Sequence, residues 1–163
     1  MKTFILTLFL SSTIIFSTAQ ESKLYNPMAN AETDIATAIV KAKKENKFVL
    51  IQAGGNWCSW CIEFARFAKA DAKIDSVIKA SFVWYHLNNS KENENKKMFS
   101  KLGYPQRFGF PVFIILNGKG ERVHTQNSEY LEDGKRSYDQ QKVQSFLEMW
   151  SPRVLKPAMW GDK

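Results

Sequence analysis

The stretch "KFVLIQAGGNWCSWCIEFARFAKA" constrains the fold more than any other part of the chain. Residues 48–51 form an unbroken apolar run of strand type, and Gly54-Gly55 breaks it. From Asn56 onward the apolar residues recur at helical spacing. Cys61, Ala65 and Ala68 share one face, with Phe64 and Phe67 beside it. A strand that runs through two glycines into a helix is part of a strand–helix alternation, which asks for parallel pairing. The two cysteines of the chain, Cys58 and Cys61, both stand at this junction, each directly after a tryptophan.

The remaining pattern supports the alternation. "AETDIATAIVKAKKEN" places Ile35, Ala38, Ile39 and Ala42 on one helical face, after a polar lead-in over residues 20–31. A further helical piece over 73–80 extends the helix that carries the cysteines. "SFVWYHL" reads as the second strand, and "NSKENENKKMFSKLGY" as a helix ending near Gly103. "PVFIILNGKGERVHTQ" reads as a hairpin turning at Asn117-Gly118. "DQQKVQSFLEMW" predicts a closing helix with Val143, Phe146, Leu147 and Trp150 on one side, and Pro152 and Pro157 stop it. These elements define an α/β fold: a mixed central sheet with helices on both faces and an antiparallel hairpin at its edge.

The first residues, "MKTFILTLFLSSTIIFSTAQ", have one early lysine, an apolar run and small residues at 17–19. This is the pattern of a secretory signal peptide cut after Ala19. The apolar run is short and rich in Ser and Thr for a retained membrane anchor. It leaves residues 20–163 as one domain. The net charge is +7, but the lysines are scattered along the chain. That distribution describes a solvated surface and argues against nucleic acid as a partner.

Export permits disulfides. Two cysteines three residues apart, however, close almost no loop, so a bond between them adds little chain-entropy stabilisation. A reactive dithiol accounts for the pair better. With Asn56 as helix cap, Cys58 falls in the first turn, where free backbone N–H groups and the helix dipole favour a thiolate. Cys61, one turn on, faces the core. The roles therefore divide: Cys58 attacks, and Cys61 resolves the mixed disulfide. Metal binding is the competing chemistry. The two histidines, His86 and His124, lie far apart in the sequence and lack zinc-finger spacing, and neither offers an obvious third ligand for copper. His86 reads as a satisfied residue at a strand end, and His124 as exposed.

A dithiol at the start of a helix after a strand is a thioredoxin-like signature. "FVLIQAGGNWCSWC" resembles the strand–Trp–Cys–x–x–Cys segment of the thioredoxin family. "YPQRFGFPVFIIL" resembles the family's loop in which a cis-proline, here Pro111 after Phe110, precedes an edge strand. "NGKGERV" resembles the turn and strand that follow. The resemblance spans roughly residues 25–150 and is to exported bacterial members with a tryptophan before the second cysteine. It implies a thioredoxin-like fold and a monomeric thiol–disulfide oxidoreductase without cofactor. Disulfide-containing proteins would be its substrates in the periplasm, and a membrane protein its electron donor. It also implies substrate contact at Phe110 and Pro111. Trp60, on a tight turn between the cysteines, is expected to be an exposed contact residue, and Trp57 to pack into the scaffold as support. A non-enzymatic binding or copper-carrier module on the same fold is the alternative.

The chain departs from the family at Gln52. In thioredoxins a buried aspartate occupies this place, six residues before the first cysteine, and exchanges a proton with the second. Glutamine cannot act as a base, and the intervening Ser59-Trp60 carries no charge. The direction of electron flow therefore stays open between thioredoxin, near about −270 mV, and strong oxidants, near about −120 mV.

Overall fold

The computed structural model describes residues 23–156. The signal-peptide reading of residues 1–19 and the stop at Pro157 lie outside them. Among the described residues, five α-helices and four strands build the fold. In chain order they are α1 (Ala31–Lys44), β1 (Phe48–Gly54), α2 (Ser59–Ala70), α3 (Ala72–Ser81), β2 (Phe82–Asn88), α4 (Lys96–Lys101), β3 (Val112–Leu116), β4 (Arg122–Asn127) and α5 (Gln140–Met149). The sheet order is β2-β1-β3-β4. β1 pairs parallel with β2 and antiparallel with β3, and β4 closes the far edge antiparallel to β3.

β1 is central, and all seven of its residues are buried. Its alternating side chains feed two cores. Val49, Ile51 and Ala53 face α1 and α4, with Ile35, Ala42, Phe99 and Leu102 among their neighbours. Phe48 and Leu50 face α2, α3 and α5, where Phe64, Ile74, Ile78, Phe113, Val143 and Leu147 complete the packing. Gln52 lies on this second side, at the end of β1 that leads to the cysteines. The mixed sheet with helices on both faces is as the sequence predicts.

Five local expectations change. Residues 89–95 are not helical; α4 is confined to Lys96–Lys101. Asparagine side chains divert the backbone there: Asn88 Nδ2 donates to Asn93 O at 3.0 Å, and Asn95 Nδ2 to Asn88 O at 2.8 Å. α3 does not prolong α2. Asp71 separates them, its carboxylate accepting from the N–H groups of Lys73 and Ile74 to cap a new helix. The hairpin turn runs through Gly120, which has φ +82°, because Asn117 Oδ1 accepts from both Lys119 N and Glu121 N. β3 is interior rather than an edge strand, since it is flanked by β1 and β4. Finally, the polar lead-in carries Tyr25, which is wholly buried.

Candidate active site

β1 delivers the chain to the site and stops at Gly54 for a steric reason. A Cβ at Gly54 would lie 2.4 Å from Cys61 Sγ and 2.9 Å from Tyr25 Oη. One at Gly55 would meet Trp57 Nε1 at 2.4 Å and Asn89 O at 2.6 Å. Both contacts are impossible for a carbon atom, so the double glycine lets α2 fold back against the strand end. Cys58 and Cys61 then meet as a disulfide, with Cα atoms 5.2 Å apart. Cys58 retains 6% exposure and Cys61 none, so Cys58 is the sulfur nearer to solvent.

The helix start is shifted from the expected place. Cys58 itself is the N-cap, and its Sγ accepts from Cys61 N at 3.2 Å. Asn56 does not cap α2. Its Oδ1 accepts from Tyr25 N at 3.0 Å, and its Nδ2 donates to Tyr25 O at 2.7 Å. Asn56 is thereby committed to the lead-in segment. The helix-start effect on Cys58 survives in a more direct form, because an N–H of the first turn points at the sulfur.

The two tryptophans exchange environments relative to expectation. Trp57 is 61% exposed. It is anchored only at its edge, where Nε1 donates to Asn89 O at 2.6 Å and the ring meets Phe110 edge-on at 5.7 Å. Trp60 is half-buried against Tyr138, with ring centroids 5.6 Å apart, and Tyr138 Oη donates to Trp60 O at 3.1 Å. The reason is the helix start: Trp57 precedes the cap and projects outward, while Trp60 lies in the first turn on the side facing the loop before α5.

The Phe110-Pro111 bond is cis, and Pro111 is buried immediately before β3. Phe110 packs against the cluster of Tyr25, Cys58 and Cys61. The loop thus brings Phe110 beside the cysteines, with the buried Pro111 following it, and Phe108 is exposed.

Behind the disulfide, Gln52 is fully buried. Its Nε2 donates to Tyr25 Oη and to Cys61 O, both at 2.8 Å, while its Oε1 has no partner among the described residues. His86 pairs with Gln52 in the β1–β2 register and shares its face. It lies inside β2, with its ring edge-on to Tyr25 at 5.5 Å and tilted on Trp84 at 4.8 Å. Its Nε2 is buried without a partner among the described residues, so it is not the satisfied histidine expected. Burial, aided by the Lys69 cation, pushes its pKa down to about 4. His124 is not exposed either: it stacks on Trp150 at 3.9 Å and bonds Gln126 on β4. Among the described residues, no group of three or more His, Cys, Asp or Glu is placed to hold a metal ion. No described helix is long and apolar enough to cross a membrane.

Tyr25 is the functional neighbour that sequence reasoning missed. Its signal was faint: it is the one aromatic residue in the lead-in over 20–31. Nothing local to it predicts that Asn56 and Gln52 would hold it from two sides.

A sequence profile of the thioredoxin-like domain matches residues 35–132, more than half of the chain. The chain belongs to the thioredoxin-like family. Solved structures agree on the fold of this thioredoxin-like protein. It is similar to a disulphide isomerase from Xylella fastidiosa Temecula1, with TM-score 0.69 and 20% identity, over 83% of this chain and 98% of that one. It is also similar to the C-terminal domain of DsbD from Neisseria meningitidis in the oxidised form, with TM-score 0.54 and 16% identity, over 75% and 97%. A thioredoxin from Thermus thermophilus aligns with TM-score 0.52 and 17% identity, over 75% and 84%. No curated protein sequence matches the chain. In this thioredoxin-like protein the close cysteine pair at a helix start is suited to thiol–disulfide exchange.

Proposed function

We propose that this protein is an exported, periplasmic thiol–disulfide oxidoreductase that reduces or isomerises disulfides in other proteins. The observation that carries the reading is the asymmetry of the pair. Cys58 is the helix cap, nearer to solvent and with Cys61 N aimed at its sulfur; Cys61 is sealed behind it. In the reduced form, the Cys58 thiolate attacks one sulfur of a substrate disulfide. A mixed disulfide forms, and the other substrate sulfur leaves as a thiolate. The Cys61 thiolate then attacks Cys58 Sγ, which closes the Cys58–Cys61 bond and releases the second substrate thiolate. Two electrons pass from the dithiol to the substrate. A membrane protein with its own dithiol restores the reduced pair by the reverse exchange. In isomerisation the substrate's own released thiolate attacks elsewhere, with no net electron transfer.

Substrate contact falls to Phe110, which packs against the cysteine cluster, to Trp57, which meets Phe110 edge-on, and to Pro111 next to Phe110 in the chain. The exposure of Trp57 makes it the better aromatic contact than the half-buried Trp60. The protein acts as a monomer, without cofactor, metal or nucleic acid.

The test is a pair of variants. Cys61→Ser leaves Cys58 to attack without resolution, so it should accumulate reducible complexes with exported proteins. Those complexes should be missing from Cys58→Ser. If Cys61→Ser traps nothing, the reading fails.

A further inference from the structure

Exchange at this pair develops charge in a closed place. When an external thiolate attacks Cys58 Sγ, the bond to Cys61 breaks and Cys61 Sγ leaves with the electron pair. Cys61 is fully buried. Burial raises a thiol's pKa, and a leaving sulfur of high pKa leaves slowly. A hydrogen-bond donor at that sulfur would offset this, and Gln52 is not free to serve. Its Nε2 is already bonded to Cys61 O and to Tyr25 Oη.

Tyr25 is placed differently. Its Oη accepts from Gln52 Nε2, and its own proton has no acceptor among the described residues. It is wholly buried and clusters with Cys58 and Cys61. The point where a Cβ of Gly54 would stand is 2.4 Å from Cys61 Sγ and 2.9 Å from Tyr25 Oη. The two atoms therefore both lie beside this uncovered glycine, separated by no more than those two distances together, and in the disulfide form they share no hydrogen bond. A buried O–H with no acceptor is costly until an acceptor forms beside it, and a thiolate at Cys61 is such an acceptor.

We propose that the Tyr25 hydroxyl donates a hydrogen bond to the Cys61 sulfur whenever that sulfur carries negative charge, with Gln52 holding the phenol in place. The inference rests on the thiol–disulfide reading above. The other ionisable groups around Tyr25 and Cys61 do not compete. From β2, His86 is neutral at the pH of exchange, since its pKa lies at about 4. Tyr138, before α5, donates to Trp60 O. On α2, Glu63 bonds Arg66 and Ser137, and Lys69 is exposed. From the lead-in, Lys23 is exposed, and β1 contributes only the neutral Gln52. Burial also holds the Tyr25 phenol far above its ordinary pKa. Tyr25 therefore keeps its proton and stabilises charge rather than shuttling protons.

The test uses the full chain with dithiothreitol as reductant, so no protein substrate is needed. Tyr25→Phe should slow reduction of the Cys58–Cys61 disulfide about tenfold. In the Cys58→Ser background it should raise the Cys61 thiol pKa, read by thiolate absorbance at 240 nm, by about one unit, which is the same tenfold in equilibrium. In the otherwise unaltered Cys58→Ser protein, the Tyr25 ring ¹³Cζ resonance should shift in step with the Cys61 titration. This third measurement decides the matter even if Tyr25→Phe does not fold. A rate within twofold of the parent and a Cys61 pKa within about 0.3 unit of it, the same twofold in equilibrium, overturn the proposal and leave the oxidoreductase reading intact. So does a ¹³Cζ resonance that ignores the Cys61 titration, even where the rate falls, because that pattern marks a packing role. A parent protein that dithiothreitol cannot reduce overturns both.

Discussion

Asn56 grips the backbone of Tyr25 at both ends, accepting from its N–H at 3.0 Å and donating to its carbonyl at 2.7 Å. The pair joins the lead-in segment to the loop that carries the cysteines. Asn56→Ala removes both bonds and leaves two backbone groups of Tyr25 to find new partners. The expected loss is about 1–3 kcal/mol. Hydrogen exchange at residues 23–30 should accelerate well before global unfolding. Unaltered protection of the Tyr25 amide in this variant would contradict the role given to Asn56.

Gly54 is required by the close approach of Cys61, not by its backbone angles. In Gly54→Ala the new methyl carbon overlaps Cys61 Sγ and Tyr25 Oη, so either α2 or the lead-in must shift. Overpacking of this kind costs about 1–3 kcal/mol. Thermal unfolding of the oxidised protein should show a lowered Tm, and the rate of reduction by dithiothreitol should change with it. A Tm equal to that of the parent would mean that the site tolerates far more movement than its packing implies.

His86 makes stability depend on pH with a definite sign. In the fold its imidazole is held neutral, with a pKa pushed down to about 4, whereas an unfolded histidine titrates near about 6.5. Between these values the unfolded chain binds more protons, so stability falls as the pH falls from about 6.5 towards 4. Above 6.5 the contribution is fully present. His86→Phe keeps a ring between Trp84 and Tyr25 and removes the titration. Urea unfolding of both proteins across pH 4.5–6.5 should give a difference in slope approaching about 1.4 kcal/mol per pH unit. Parallel curves would show that His86 is protonated in the fold.

Trp57 separates substrate binding from exchange chemistry. Its exposed face lies beside Phe110, and its anchor to Asn89 is at the ring edge. Trp57→Ala should raise KM for a protein disulfide about tenfold, as loss of an aromatic contact of about 1.4 kcal/mol would. It should leave the rate with dithiothreitol within about twofold of the parent. Equal losses with the protein disulfide and with dithiothreitol would assign Trp57 to the support of the loop instead.

Much of the architecture was legible because it depends on local periodicity. The apolar run that opens β1, the helical faces of α1, α2 and α5 and the two-strand hairpin all follow from patterns within a dozen residues. The misread parts involve competition between side chain and backbone. Asparagines in the segment after β2 make local bonds that a helical reading cannot foresee, and Asn117 reshapes the hairpin turn in the same way. At the site, Cys58 and Cys61 stand out by spacing alone, and the absence of an acid at Gln52 is visible. The environments of Trp57 and Trp60 are not, because a shift of two residues in the cap of α2, from Asn56 to Cys58, decides which ring faces outward.

The sequence by itself determined the alternation of strand and helix and the cysteine pair at a helix start, while the resemblance to thioredoxins singled out the neutral Gln52. These are matters of residue type and spacing, which short-range physics reads directly. Only the tertiary structure decided what fills the space behind Cys61. Tyr25 arrives there from a polar lead-in 27 positions before Gln52, held by Gln52 and Asn56 and admitted by the lack of a side chain at Gly54. No local preference encodes such a meeting. It exists because a buried amide and a buried phenol pair with each other once water is excluded, and only the fold brings that pair to the buried sulfur.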